Sequence, residues 1–237
     1  MEDGQRGNFL FGKKPLSIPH RLPFIFLTLC LSFFFKIDAF AWELIDEEDG
    51  VKVYSKKEEK GKKGWTSFKA VGFYNSKLRD LVEVLLDFDN KHFWAPQNKS
   101  SKVIKKFKSG NYLVLEHYKA PWPVDNREFL FEGYVKKIKD REILIHAWSN
   151  TTYPYKNEDV VIAFAEYVDI TIEEVERGKR CKVTFNVSGN LGGWLPNWAK
   201  KFVRTKWPFK FFEGLGEELL KKRKRNSRVF KELPFSI

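Results

Sequence analysis

Three runs late in the chain alternate apolar and polar residues with a period of two, and a single run with the period of a helix follows them. Phe129, Phe131 and Val135 alternate with Glu128, Glu132 and Lys136. Val168, Ile170 and Ile172 alternate with Asp169, Thr171 and Glu173, and Cys181, Val183, Phe185 and Val187 with Lys182, Thr184 and Asn186. A strand turns successive side chains to opposite faces, so each run has one dry and one wet face, as in an antiparallel sheet open to water on one side. From Pro196 the spacing changes: Trp198, Phe202, Phe209, Phe212, Leu215 and Leu219 follow a helical pattern. Pro196 suits the first turn of that helix, and Pro208 within it predicts a kink. A lone amphipathic helix must bury its apolar stripe, and the dry face of the sheet is the only partner large enough. The prediction is an α+β fold: a curved antiparallel β-sheet wrapped around a long C-terminal α-helix, an arrangement that readily leaves an internal hydrophobic cavity.

The rest of the chain fits this frame. Strand patterns run over Val51–Ser55, Trp65–Tyr74, 102–108, 112–118, 127–138, 142–149, 166–176 and 181–188, with Arg177-Gly178-Lys179 as a hairpin turn. Residues 77–88 carry Leu78, Leu81, Val82, Leu85 and Leu86 on one helical face, with Ser76 placed to cap it. No repeat or low-complexity linker divides residues 42–225, which read as one domain followed by a tail over 226–237. The stretch APWPVDNREF, residues 120–129, interrupts the strands. Pro121 and Pro123 cannot donate to a ladder and mark a crossing between strands. Trp122 is expected to cover one end of the core, and Asn126 to bond backbone in the turn.

The N-terminus reads as a leader. Residues 22–35, LPFIFLTLCLSFFF, form an uncharged run of 14 after Lys13, Lys14 and Arg21 and before Ala39-Phe40-Ala41. A basic segment, a short apolar run and a small-x-small site make a secretory signal peptide over 1–41. A membrane span needs about 20 apolar residues. Cleavage after Ala41 implies an exported protein, periplasmic or secreted; an uncleaved N-terminal anchor is the alternative. Cys30 leaves with the leader, so Cys181 stands alone and packing must hold the mature chain without an internal disulfide. Residues 42–237 keep 38 Lys+Arg against 28 Asp+Glu, a net of +10. A basic surface suits nucleic acid or an anionic membrane, and export argues against nucleic acid. The basic clusters are Lys56-Lys57, Lys60, Lys62-Lys63 and the tail Lys221–Arg225; each reads equally as a solvated loop or helix end. All eight tryptophans also lie beyond residue 41, more aromatic surface than a minimal core needs.

Four stretches carry a family resemblance: WELIDEEDGVKVYSKK, the helix LRDLVEVLLDFDNKHFW, the proline stretch with Pro-Val-Asp-Asn-Arg-Glu, and NLGGWLPNW before the C-terminal helix. In this order and spacing the chain resembles the START family of lipid-transfer domains, bacterial type, within the helix-grip (Bet v 1-like) superfamily, from about Trp42 to Leu220. Glu128 stands where the family has Asp, Asn190-Leu191 where it has Asp-Pro, and the family's Val-Arg is not evident in VVIAFAEYVDI. The resemblance implies a helix-grip fold and a non-catalytic cavity for one hydrophobic ligand, a lipid or sterol-like molecule.

Three functions remain in view. The first is a monomeric lipid-binding or lipid-carrying module, in which an apolar ligand gains roughly 25 cal/mol per Å² buried and a few polar groups orient it. Its candidate ligand-binding residues are Arg127, Phe129, Phe131, His146, Trp148, Phe164, Phe185, Trp198, Phe202 and Phe209; for any single aromatic core filling is the commoner role, and Arg127 reads equally as a structural ion pair at a strand end. The second is an enzyme of cyclase or hydrolase type. The mature chain offers only His92, His117 and His146, in no metal-ligand or nucleophile spacing, so no catalytic residue, metal or cofactor is assigned. The third is a membrane-surface protein without a cavity, using the basic tail 221–228. Membrane docking also suits a carrier, with the loop 151–158 and the segment 194–198 as movable parts.

Overall fold

A computed structural model describes residues 42–56, 64–221, 223, 225 and 227–237. The expected leader, the basic turn 57–63 and the tail residues Lys222 and Lys224 lie outside the described residues.

Among the described residues ten strands make one sheet. In chain order they are β1 (Glu43–Glu48), β2 (Val51–Ser55), β3 (Trp65–Tyr74), β4 (Asn98–Lys106), β5 (Tyr112–Tyr118), β6 (Arg127–Lys139), β7 (Glu142–Ser149), β8 (Val161–Ile162), β9 (Phe164–Val175) and β10 (Arg180–Asn190). Their spatial order is β1-β2-β3-β10-β9-β7-β6-β5-β4, antiparallel throughout, while β8 pairs in parallel with the first two residues of β6. The period-two patterns set the register. Val53, Ala70, Phe185, Ile170, Ile145 and Val135 stand opposite one another across six strands and form one inward row. The neighbouring row, Tyr54, Lys69, Asn186, Asp169, His146 and Tyr134, takes the outer face.

Helix α1 (Leu78–Leu85) follows β3 and buries Leu81 and Val82 completely. Its N-cap is Lys77 rather than Ser76, with no side-chain cap: the Ser76 hydroxyl reaches the Lys77 carbonyl instead. The expected helix to residue 88 stops three residues sooner, and a 3-10 turn over Phe88–Phe93 continues it. Helix α2 (Asn197–Leu220) is assigned without a break through Pro208. Two glycines let it press close. A Cβ at Gly72 of β3 would lie 2.5 Å from the Phe212 ring, and one at Gly214 would lie 2.1 Å from the Trp94 carbonyl oxygen. The Tyr74 hydroxyl donates to the Phe212 carbonyl at 2.7 Å and fixes the same contact.

The C-terminal segment, set apart above as a tail, packs against the body of the fold. Ser227 donates to the Leu86 carbonyl at 2.6 Å and caps the short helix α3 (Arg228–Lys231) by accepting from the Phe230 amide. Val229 is buried, and Phe230, Leu233, Phe235 and Ile237 pack around it against the core. The described arginines of the tail make ion pairs within the fold. Arg223 and Arg225 converge on the buried Glu218, and Arg228 pairs with Glu232 at 2.7 Å. Cys181 is buried, its thiol donates to the Ser76 carbonyl, and burial pushes its pKa up to about 11, so it is an inert core residue.

Candidate functional site

A cavity of about 740 Å³ separates the inner face of the sheet from the first half of α2. The sheet contributes Phe129, Phe131, Val135, Ile145, Val168, Ile170 and Val187, and the helix contributes Trp198, Ala199, Phe202 and Val203. Phe68, Phe185, Trp207 and Phe211 close one part of the wall as a ring cluster, with centroids 4.7 to 6.2 Å apart. Gly133 of β6 also borders the space: a side chain there would meet the His146 carbonyl at 2.6 Å, so the position stays bare. The volume falls in the range of small-molecule sites, and its mostly apolar wall suits an apolar occupant.

Polar groups are gathered where β5 and β6 meet. Glu116, 2% exposed, accepts from the Lys91 ammonium and from the Tyr118 hydroxyl, each at 2.5 Å. Burial, and then the neighbouring Glu116 carboxylate, drives the Tyr118 hydroxyl pKa well above its ordinary value, so this phenol is a hydrogen-bond donor at every working pH. Tyr118 stands opposite Arg127 in the β5–β6 register, so both side chains take the inner face. Lys91, Glu116, Tyr118 and Arg127 all border the cavity.

Arg127 and Glu128 act back to back at the start of β6. Arg127, 5% exposed, donates through its Nη atoms to three backbone carbonyls, those of Asp125, Gly192 (3.4 Å) and Trp194 (3.2 Å). It therefore latches the loop between β10 and α2 to the sheet. Among the described residues it makes no ion pair at the strand end; its partners are backbone carbonyls. Burial lowers its pKa, and the charge of Asp125 partly offsets that. Glu128 points to the opposite face and accepts from His117 (2.9 Å), Tyr155 (2.5 Å) and Asn157 (3.1 Å). It latches the loop after β7. Burial alone would raise the Glu128 carboxyl, but the hydrogen bonds from Tyr155, His117 and Asn157 outweigh it and hold the pKa below the ordinary value.

Of the candidate residues, Arg127, Phe129, Phe131, Phe185, Trp198 and Phe202 border the cavity. His146 borders it too, but strand alternation turns its ring to the outer face. There it meets Asp169 Oδ1 at 2.5 Å and the rings of Tyr134 and Trp148. Trp148 shares that outer face. Phe164 packs edge-on against Trp65, and Phe209 lies in the core under Lys206. None of these three forms part of the wall, because each sits on the wrong phase of its strand or helix. The reading missed Lys91, Glu116 and Tyr118. A signal existed: Tyr112, Val114, Glu116 and Tyr118 share one strand phase, and a carboxylate on a dry phase demands partners.

Beside the Arg127 latch the cavity reaches Pro121, Val124, Leu191 and Leu195. Three tryptophans project into solvent from these segments: Trp122 (91% exposed), Trp194 (62%) and Trp198 (50%). Trp122 thus does not cover the core. The crossing is instead braced by the Asn126 side chain accepting from the Ala120 amide, as expected, and by the Val124 amide donating to the Pro121 carbonyl; the Trp122–Pro123 peptide is cis. Lys200, Lys201 and Arg204 are exposed on the first half of α2 and make no ion pair among the described residues.

Known proteins share both sequence and architecture with this chain. Phosphatidylcholine transfer protein from Bos taurus is 25% identical over 169 residues, covering 68% of this chain and 78% of its own length. The solved STAR-related lipid transfer protein fragment from Xanthomonas axonopodis superposes with a TM-score of 0.65 at 23% identity, covering 76% of this chain and 99% of that one. Human STARD10 gives a TM-score of 0.68 at 19% identity, covering 89% of this chain and 84% of its own. The sequence model of the START domain matches residues 36–217. With the curved sheet gripping α2, that match identifies the chain as a member of the START domain family.

Proposed function

We propose that this protein binds one lipid or similar hydrophobic molecule in the space between sheet and α2 and carries it between membranes. The cavity carries the proposal: about 740 Å³ with a largely apolar wall, beneath a helix segment that is itself half exposed. A protein interior is otherwise close-packed, and so large an apolar space serves a guest rather than stability. Phosphatidylcholine transfer protein and the STAR-related lipid transfer protein are similar over most of the chain, which supports a lipid as that guest. The reading is non-catalytic, since the imidazole of His146 is engaged on the outer face.

Loading needs a route through the loops that border the cavity. Two adjacent residues, Arg127 and Glu128, hold the loops at 191–196 and 150–158, so releasing either latch would loosen its loop. Trp122, Trp194 and Trp198, with Lys200, Lys201 and Arg204, suit the interface of an anionic membrane: indole rings at headgroup level and cations toward the phosphates. The described tail arginines pair internally, so α2 replaces the tail as the proposed docking cation source. Export follows from the basic segment, apolar run and Ala39-Phe40-Ala41, and it puts the carrier outside the cytoplasm.

Native mass spectrometry of residues 42–237 with solvent extraction tests the function. One lipid per chain, or saturable uptake of a fluorescent lipid at that stoichiometry, is expected. A bare protein that takes up none removes the proposal.

A further inference from the structure

The guanidinium fork of Arg127 is only partly used. Its two Nη atoms meet backbone carbonyls, but Nε, fully buried on a side chain bordering the cavity, has no hydrogen-bond partner among the described residues. A buried donor without a partner is costly, and a cationic one more so. The carbonyls solvate the guanidinium but do not neutralise it. Of the carboxylates nearest along the chain, Glu128 is turned to the opposite face, and Asp125 is exposed and meets Arg127 through its backbone carbonyl, its charge only partly offsetting the burial of the guanidinium.

The rest of the polar end leaves the same surplus. Both oxygens of Glu116 are engaged, one by Lys91 and one by Tyr118. An ammonium has three donors, and Lys91 gives one of them to Glu116. Lys119 adds another cation at the exposed rim. Around the cavity the bordering charges are thus Lys91, Lys119 and Arg127 against Glu116, and each oxygen of that carboxylate already accepts a hydrogen bond.

We infer that the cavity selects an amphiphile with an anionic oxygen head group, a carboxylate or a phosphate monoester, toward which the Arg127 side chain turns so that Nε, closed off in this conformation, donates to it at the end of the cavity near Lys91. The apolar chain then runs along Phe129, Phe131 and Val168. The inference rests on the lipid-binding reading and narrows it. A zwitterionic head group would bring a cation to an end that already holds a cationic surplus, and an uncharged one would leave Nε with a weaker partner. The head group would also share Arg127 with the carbonyls of Gly192 and Trp194, so the group that holds the loop would sense the guest.

The test compares head groups on one acyl chain. Palmitic acid, its methyl ester, dipalmitoyl phosphatidic acid and dipalmitoyl phosphatidylcholine compete at pH 7.5 against a fluorescent acyl probe bound to residues 42–237. A charge-assisted hydrogen bond predicts the acid about tenfold or more tighter than the ester, and phosphatidic acid likewise tighter than phosphatidylcholine. Whichever anion wins identifies the source, carboxylate or phosphate. In Arg127→Gln the ratio of acid to ester affinity should fall toward one. If that variant does not fold, the Arg127 Nε–Hε resonance of the unaltered protein, labelled with 15N, decides: it should shift with the acid and stay with the ester. Equal affinities for acid and ester, a preference that survives Arg127→Gln, or an unmoved Nε–Hε signal overturns the inference and leaves lipid binding intact. If no amphiphile of any head group competes, the lipid-binding reading itself fails.

Discussion

The two halves of α2 face the same sheet and do opposite things. From Pro208 to Leu219 the helix is an anchor: Phe209, Phe211, Phe212 and Leu215 are buried, Gly72 and Gly214 admit close contact, and Tyr74 bonds the Phe212 carbonyl. From Asn197 to Val203 it is a cover: Trp198 is half exposed, Ala199, Phe202 and Val203 look onto the cavity, and the helix starts at Pro196 without a side-chain cap. One continuous helix therefore carries stability at one end and access at the other. Pro208 sits at the boundary, where its missing donor removes one helical hydrogen bond. A binding protein can move the part that packs loosely because the part that packs tightly stays fixed.

The comparison can be broken most severely at the anchor. Phe212→Ala should cost about 3–5 kcal/mol in urea unfolding, whereas Trp198→Ala should cost under about 1 kcal/mol, because its ring is already half in water. Equal losses would erase the distinction. Arg127→Met comes next. Loss of hydrogen bonds from a charged group to the 191–196 loop should cost about 1.5–3 kcal/mol and speed hydrogen exchange there, with little change at 208–219.

Glu128 gives a smaller, pH-dependent effect. Its pKa is lower in the folded protein than the ordinary 4.5, so its contribution is present above pH 4.5 and is lost as pH falls through the folded value. Protection of the 150–158 amides, corrected for intrinsic exchange, should therefore drop below pH 4.5, and Glu128→Gln should flatten that dependence. The smallest effect on stability belongs to the exposed cations. Replacing Lys200, Lys201 and Arg204 together by Ala should change stability by no more than about 0.5 kcal/mol. The same triple variant should weaken vesicle binding by about 1 kcal/mol per residue removed, read by sedimentation with anionic liposomes at low salt. Unchanged sedimentation would move docking elsewhere.

Where a residue's role followed from its own periodicity, the sequence was enough. The inward rows of β6, β9 and β10 and the helical spacing after Pro196 gave the grip and its cavity, and with them Phe129, Phe131, Phe185 and Phe202. Phase errors explain the misses. His146 and Trp148 share a phase, and only the pairing of β7 with β9 reveals that it is the outer one. Roles made by distant partners were also hidden. Glu128 meets side chains 27 and 29 residues ahead, and Arg127 meets carbonyls 65 and 67 residues ahead. No local pattern announces such bonds. The C-terminal segment hid for another reason: Arg223 and Arg225 look solvated until Glu218, buried inside α2, is seen to need them.

The most direct measurement is photo-crosslinking with a fatty acid carrying a diazirine on its terminal carbons, followed by peptide mapping of residues 42–237. Adducts should fall on the wall, among Phe129, Phe131, Val168 and Phe202, and unlabelled acid should compete them away. Labelling confined to the outer face, at Tyr134, His146 or Trp148, or none that competes, would contradict a lipid held between sheet and helix.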